Sequence, residues 1–320
     1  MPNFSRYGFL TGFVLALSAA SPAHSTLTAP ASLAQCPHHP TSTAPSSPHL
    51  LTQGYTSILA STLYNHYDLA YPAPVVTTGL SARQIGEVQF GFVRRAVEAL
   101  GPIVGYKAAF TAAPAQQRFG LTEPLYGFLL EEMMLDSGAT LPVDFAARPL
   151  AEGDLLVRVG SADINTAQTD AEILASLEAV IPFIELPDLL YQENAPLDAG
   201  AVVAINLGAR YGVMGEPILL DPAADWQTRL GKIYVQMENA DGQTIGTGDS
   251  SVLLGHPLNV VRWLRDTLAT QGLALRPGDV LSLGTITPPV PVEAGTTLTV
   301  EYHGLADDTV TVSVSFSAEE

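Results

Sequence analysis

Two carboxylates stand one residue apart in Arg148-Pro-Leu-Ala-Glu152-Gly-Asp154-Leu-Leu-Val-Arg-Val159, at the mouth of a short apolar run. On an extended strand, residues i and i+2 project from one face, so Glu152 and Asp154 point the same way. Like charges side by side are costly unless a cation or a proton joins them. A third carboxylate, Glu185, ends another apolar run, Ala179-Val-Ile-Pro-Phe-Ile-Glu185. Three carboxylates at strand ends suit a hard divalent cation such as Mg2+ or Mn2+. Spacing alone also allows solvated acids where strands end. A fourth charge stands out by rarity. Only Lys107 and Lys232 are lysines, and Lys107 interrupts the apolar Ile103-Val-Gly-Tyr-Lys-Ala-Ala-Phe-Thr111. An ammonium stranded there needs a partner and then suits proton transfer; the alternative is a lysine that snorkels to the surface.

The elements that must position these groups follow in order. Thr52 to Tyr71 has helical spacing of Ile58, Leu59, Leu63 and Tyr67, and Pro72 stops it. A second helix opens at Ser81 and carries Ile85, Val88, Phe92, Val93 and Val97 on one side, closing at Gly101-Pro102. The pattern then turns to strands: the Lys107 run, Glu152 to Val159 and the Glu185 run, with a short helix at Gln116 to Gly120, a loop at Pro124 to Leu130 leading to another extended piece, and a capped helix over Thr169 to Ala179. Val202-Val-Ala-Ile-Asn-Leu-Gly208 reads as a buried strand with Asn206 inside it. A hairpin at 233–247, a helix from Gly255 to Gly272, and strands at 275–284, 297–302 and 310–316 complete the chain. Helices first and strands afterwards, without regular βαβ alternation, is an α+β pattern.

Composition narrows the function classes. With 32 Asp plus Glu against 14 Lys plus Arg, the net charge of -18 excludes the basic footprint of a nucleic-acid binder. Residues 1–25 have the form of an export signal: Arg6, then the apolar Phe9 to Leu17, then small residues with cleavage expected after Ala23 or Ser25. That run is too short for a permanent membrane anchor, and no other segment approaches a span. The expected location is therefore periplasmic or secreted. Residues 26–49, rich in Ala, Pro, Ser, Thr and His, read as a linker. Residues 50–320 then form one domain, with a helical part at 50–101 and a strand-rich catalytic part at 102–320. Cys36 is the sole cysteine, so no intramolecular disulfide forms.

Six pieces in order carry a family resemblance: Gly105-Tyr-Lys107, Gln116-x-x-Phe-Gly120, Glu152-x-Asp154, Glu185-x-x-Asp188, Leu254-Gly-His-Pro-Leu-Asn259 and Pro277-Gly-Asp-Val280. Together they resemble the 2-keto-4-pentenoate hydratase and 4-oxalocrotonate decarboxylase branch of the fumarylacetoacetate hydrolase superfamily. The resemblance implies a mixed β-barrel-like roll with a helical N-terminal portion, and a homo-oligomer. It implies Mg2+ or Mn2+ held by Glu152, Asp154 and Glu185, with Lys107 moving protons. The implied activity is a hydro-lyase acting on a small 2-oxo or 2-hydroxydienoic acid through a metal-stabilised enolate, with decarboxylation or C–C hydrolysis open through the same intermediate. Asn206, Arg210, Tyr106, Ser251 and His256 are the candidate substrate-binding residues beside these motifs. Arg210 either forks onto a substrate carboxylate or lies on the surface. The chain departs from the family pattern at Ile205, where an acid is usual, and at Leu283-Gly284, where Thr-Gly is usual. Those departures, with the export signal, leave a second reading: an exported small-carboxylate-binding protein on the same scaffold.

Overall fold

The computed structural model describes residues 48–318; residues 1–25 and all but the last two residues of the expected linker lie outside that range. Helix α1 (Pro48–Asp68) and helix α2 (Ala82–Leu100) come first. Ser81 starts α2 through a reciprocal cap: its side chain accepts from the Gln84 N–H, and the Gln84 side chain accepts from the Ser81 N–H. Leu59, Leu63 and Tyr67 of α1 face Val88, Phe92 and Val93 of α2 in one apolar cluster, with Phe92 edge-on to Tyr67 at 5.2 Å. Ile58, expected in that stripe, is 63% exposed, because it lies a residue away from the buried i, i+4, i+8 row.

The remaining elements are β1 (Ile103–Ala109), α3 (Ala113–Phe119), β2 (Leu125–Leu130), β3 (Met134–Asp136), β4 (Ala139–Pro142), β5 (Leu150–Val159), α4 (Asp170–Ala175), β6 (Leu177–Leu186), α5 (Ala199–Ala204), β7 (Tyr211–Met214), β8 (Ile218–Leu219), α6 (Trp226–Leu230), β9 (Tyr234–Glu238), β10 (Thr244–Asp249), α7 (Pro257–Thr270), β11 (Val280–Ser282), β12 (Val290–Pro291), β13 (Thr297–His303) and β14 (Val310–Ser317). A mixed nine-stranded sheet runs β2-β1-β11-β5-β6-β7-β3, with β12 on β5 and β8 on β6. A five-stranded sheet, β10-β9-β13-β14-β4, packs on it. This is an α+β roll with a helical N-terminal portion.

The pleat sorts the large sheet into two faces. Tyr106, Ala108, Leu281, Leu155, Val157 and Ile184 enter the main core with Val235, Val300 and Val314 of the second sheet and Val260, Val261 and Leu264 of α7. Burying each such aliphatic side chain contributes roughly 1.5–3 kcal/mol, so this face fixes the register. The other face therefore receives the alternate residues. Strand β1 runs parallel to β11 with Lys107 opposite Ser282, and β11 sets Ser282 opposite Leu156 of β5. The approach of β1 to β11 depends on Gly105, where a Cβ would stand 1.9 Å from the Val280 carbonyl oxygen.

Two sequence expectations change. Val202–Gly208 is not a strand: α5 ends at Ala204 and a turn follows over Asn206–Gly208. Asp198 caps α5 by accepting from the Ala201 N–H, and the small residues after it favour helix over pairing. The helix at Thr169 is also shorter than expected, because the β6 register claims the chain from Leu177 onward.

Candidate metal and proton-transfer site

Strands β5 and β6 are antiparallel, and their register sets Glu152 directly opposite Glu185. Asp154, two residues along β5, shares that face. Lys107 reaches it from β1, and its ammonium donates to a Glu185 carboxylate oxygen and to the Leu207 carbonyl (3.1 Å). Lys107 is 3% exposed, Glu185 4% and Asp154 0%. Neither the solvated-acid reading nor the snorkelling-lysine reading describes these groups. The carboxylates are half-buried or fully buried, and the lysine is paired.

Hydroxyls satisfy what the ammonium does not. Ser282 donates to Asp154 at 2.5 Å, and the Gly284 N–H donates to the other Asp154 oxygen at 2.9 Å. Thr285 donates to Glu152. These bonds fall short of three charges in a low-dielectric place. Burial first, and then the Glu185 charge, push Glu152 up to about 7 and Asp154 up to about 8, against the lowering effect of Thr285 and Ser282.

The donor set fits a hard divalent cation: three carboxylates against one ammonium leave negative charge that burial penalises, and oxygen ligands are what Mg2+ or Mn2+ takes. Among the described residues, however, no three acidic, histidine or cysteine side chains already surround one point. Their oxygens are engaged by Lys107, Thr285 and Ser282 instead. Two surface cavities, of about 340 and 530 Å3, are lined by other residues and do not contain the carboxylates.

No protein-family model matches the chain. It is 30% identical over 218 residues to 4-oxalocrotonate decarboxylase of Pseudomonas putida, a match covering 68% of this chain and 80% of that protein. It is 29% identical over 217 residues to 2-hydroxyhexa-2,4-dienoate hydratase of Comamonas testosteroni, covering 67% and 78%. The structure of 4-oxalocrotonate decarboxylase from Pseudomonas putida G7, complexed with magnesium and adipate, superposes with a TM-score of 0.70 at 27% identity, over 82% of this chain and 98% of that one. The chain belongs to this hydratase and decarboxylase branch of the fumarylacetoacetate hydrolase superfamily.

In this family member the other candidates divide. Asn206 is buried at the wall of the site, but its amide is spent on β2: Oδ1 accepts from the Phe128 N–H and Nδ2 donates to the Phe128 carbonyl, both at 2.8 Å. Tyr106 is placed away from Lys107, because neighbours on a strand face opposite ways and Tyr106 fills the main core. Arg210 is also engaged elsewhere. Its guanidinium donates to the carbonyls of Tyr67 (2.7 Å) and Phe145 (2.9 Å) and lies 4.2 Å from the Tyr67 ring centroid, tying the end of α1 to β7. His256 is the N-cap of α7. Nδ1 accepts from the Leu258 N–H at 3.1 Å and Nε2 donates to the Gln227 carbonyl at 2.9 Å, which sets the neutral Nε2–H form. Ser251 is exposed in the turn before α7, its N–H bonded to Asp249.

Three participants were given no role by the sequence. Ser282 and Thr285 flank Leu283-Gly284, where the chain departs from Thr-Gly. The Leu207 carbonyl carries no side-chain signal at all. Its backbone is unusual: Asn206, Leu207 and Gly208 have φ of 55°, 55° and 69° in succession. A left-handed leucine costs roughly 1–2 kcal/mol, and the surrounding bonds must hold it.

Proposed function

We propose that the chain is a divalent-metal-dependent hydratase-like lyase acting on a small 2-oxo or 2-hydroxydienoic acid. The observation that carries this reading is the convergence of Lys107 with Glu185, Glu152 and Asp154 on one face of the sheet, in a chain of this family. Relatives named for hydration and for decarboxylation of such acids, and the magnesium in the similar structure, support it.

Glu152, Asp154 and Glu185 would hold the ion. When bound, it supplies Lewis-acid stabilisation of negative charge on the oxygens of a 2-oxo acid. The chain's own contribution is proton placement. Two of the three Lys107 N–H groups are committed, to Glu185 and to the Leu207 carbonyl, so Nζ is oriented with one left to address the substrate carbon chain. Ser282 and Thr285 hold Asp154 and Glu152 in fixed rotamers, which lowers the reorganisation needed when the substrate arrives. Tyr106, Arg210, Ser251 and His256 have no part in this reading.

Calorimetric titration with Mn2+ and oxalate, together with ultraviolet decay of 2-hydroxypenta-2,4-dienoate, tests the proposal. Binding of oxalate only in the presence of Mn2+, and consumption of the dienoate, are expected. A protein that does neither is not such a lyase.

A further inference from the structure

We infer that the Asn206–Leu207–Gly208 turn is a main-chain device that orients Lys107, and that Asn206 is its positioning residue and not a substrate ligand. The inference rests on the proton-transfer role given to Lys107 above.

The turn is placed by side-chain and backbone bonds from two directions. Asn206 pairs with both polar groups of Phe128, as a neighbouring strand would, and so fastens the chain after α5 to the free edge of β2. From the other side, the Gly208 carbonyl accepts from the Asp188 N–H at 2.8 Å. Between these clamps Leu207 is held left-handed, and its carbonyl meets Nζ of Lys107. Space is closed as well. A Cβ on Gly127, the residue opposite Lys107 on β2, would lie 2.9 Å from the Asn206 carbonyl oxygen and 3.3 Å from Cγ of Lys107. The lysine stem therefore runs through a slot whose far wall is the Asn206 backbone. An unconstrained chain would leave this backbone conformation, which leucine disfavours, and would take the carbonyl away from the ammonium. Asn206 is 1% exposed, and its amide is turned onto the Phe128 main chain through Oδ1 and one Nδ2 N–H, the arrangement of a positioning residue.

The scarcity of lysine supplies a measurement that needs no turnover. With 15N-lysine labelling, the only ammonium signals come from Lys107 and Lys232. Asn206→Ala is expected to speed water exchange of the Lys107 ammonium by about tenfold or more while Lys232 stays unchanged. An unaltered Lys107 signal in a folded Asn206→Ala protein overturns the inference. Should that variant fail to fold, Asn206→Ser, which stays uncharged and polar but is too short to pair with both Phe128 groups, is read the same way. Kinetics of the Mn2+-loaded full chain add a second readout. Asn206→Ala should lower kcat by about 10- to 100-fold, the scale of a misplaced catalytic group, with KM and Mn2+ affinity unchanged. It should also add nothing to the loss caused by Lys107→Met, since residues acting through one another are not additive. A raised KM at constant kcat would make Asn206 a substrate ligand, and multiplicative losses would separate it from Lys107; either overturns the inference. Lack of turnover in the native protein sinks the functional reading alone, because the labelled-lysine measurement still decides the turn.

Discussion

Crowding three carboxylates around one ammonium makes ionisation of two of them costly, and this sets the pH behaviour. Glu152 and Asp154 are raised to about 7 and about 8, while in an unfolded chain such groups titrate near about 4. The folded protein without metal therefore holds protons that the unfolded chain has released. A raised folded value gives a contribution to stability that is complete below the unfolded value and is lost as pH rises through about 7 and about 8. The urea midpoint of EDTA-treated protein should consequently fall between pH 6 and pH 9. With saturating Mn2+ the midpoint should become nearly independent of pH, since only deprotonated ligands bind and the ion's growing stabilisation offsets the loss. A metal-dependent shift of the same size at both pH values would show that these carboxylates are not the ligands. Lys107 tests the same balance from the other side. Lys107→Met removes the buried partner of Glu185 and should destabilise the metal-free protein by roughly 3–5 kcal/mol in denaturant melts, the cost of leaving a buried charge unpaired.

Strand β1 can hold Lys107 beside Ser282 only because its backbone comes unusually close to β11. Gly105→Ala would place a methyl 1.9 Å from the Val280 carbonyl oxygen, an overlap that only separation of the two strands relieves. Loss of soluble folded protein, or a folded variant with weakened Mn2+ binding, is the expected result by circular dichroism and calorimetry; native behaviour in both would show that β1 and β11 tolerate the extra atom. The strands that carry the site were legible because each combines an apolar run with a charge at its end or middle, which few other segments do. Strands β5 and β6 are the plainest cases. The α5 segment was not legible: Val202 to Leu207 has the composition of a buried strand, and the Asp198 cap that makes it helical lies four residues upstream. The short strands β3, β4 and β7 owe their state to partners distant in sequence, β3 to β7 and β4 to β14, and no local pattern announces such pairing. Of the site, the acids and the lysine were readable as residue types. The Leu207 carbonyl was invisible because a main-chain acceptor has no letter of its own.

At the scale of the molecule, the site depends on how the two sheets are pinned together. Among the described residues no helix is long and apolar enough to cross a membrane. If residues 1–25 direct export, as proposed from their composition, the mature chain starts at His24 or Thr26, which mass spectrometry of the secreted protein would read directly. The packing of the sheets allows a sharper test. Tyr302 of β13, in the second sheet, is fully buried, and its hydroxyl accepts from the Phe183 N–H at 3.0 Å. The same hydroxyl lies 2.6 Å from the Phe183 carbonyl and 2.7 Å from the Asp154 carbonyl, donating to one of them. Phe183 is opposite Asp154 in the β5–β6 register, so one phenol locks the small sheet to the backbone beneath a proposed metal ligand. Tyr302→Phe keeps the ring and its packing but deprives buried backbone groups of a partner. A loss of roughly 1–3 kcal/mol is expected in urea unfolding. Because the lost bonds support Asp154, Mn2+ affinity should fall in the same variant. A drop in stability with unchanged Mn2+ affinity would show that the second sheet supports the fold without shaping the site.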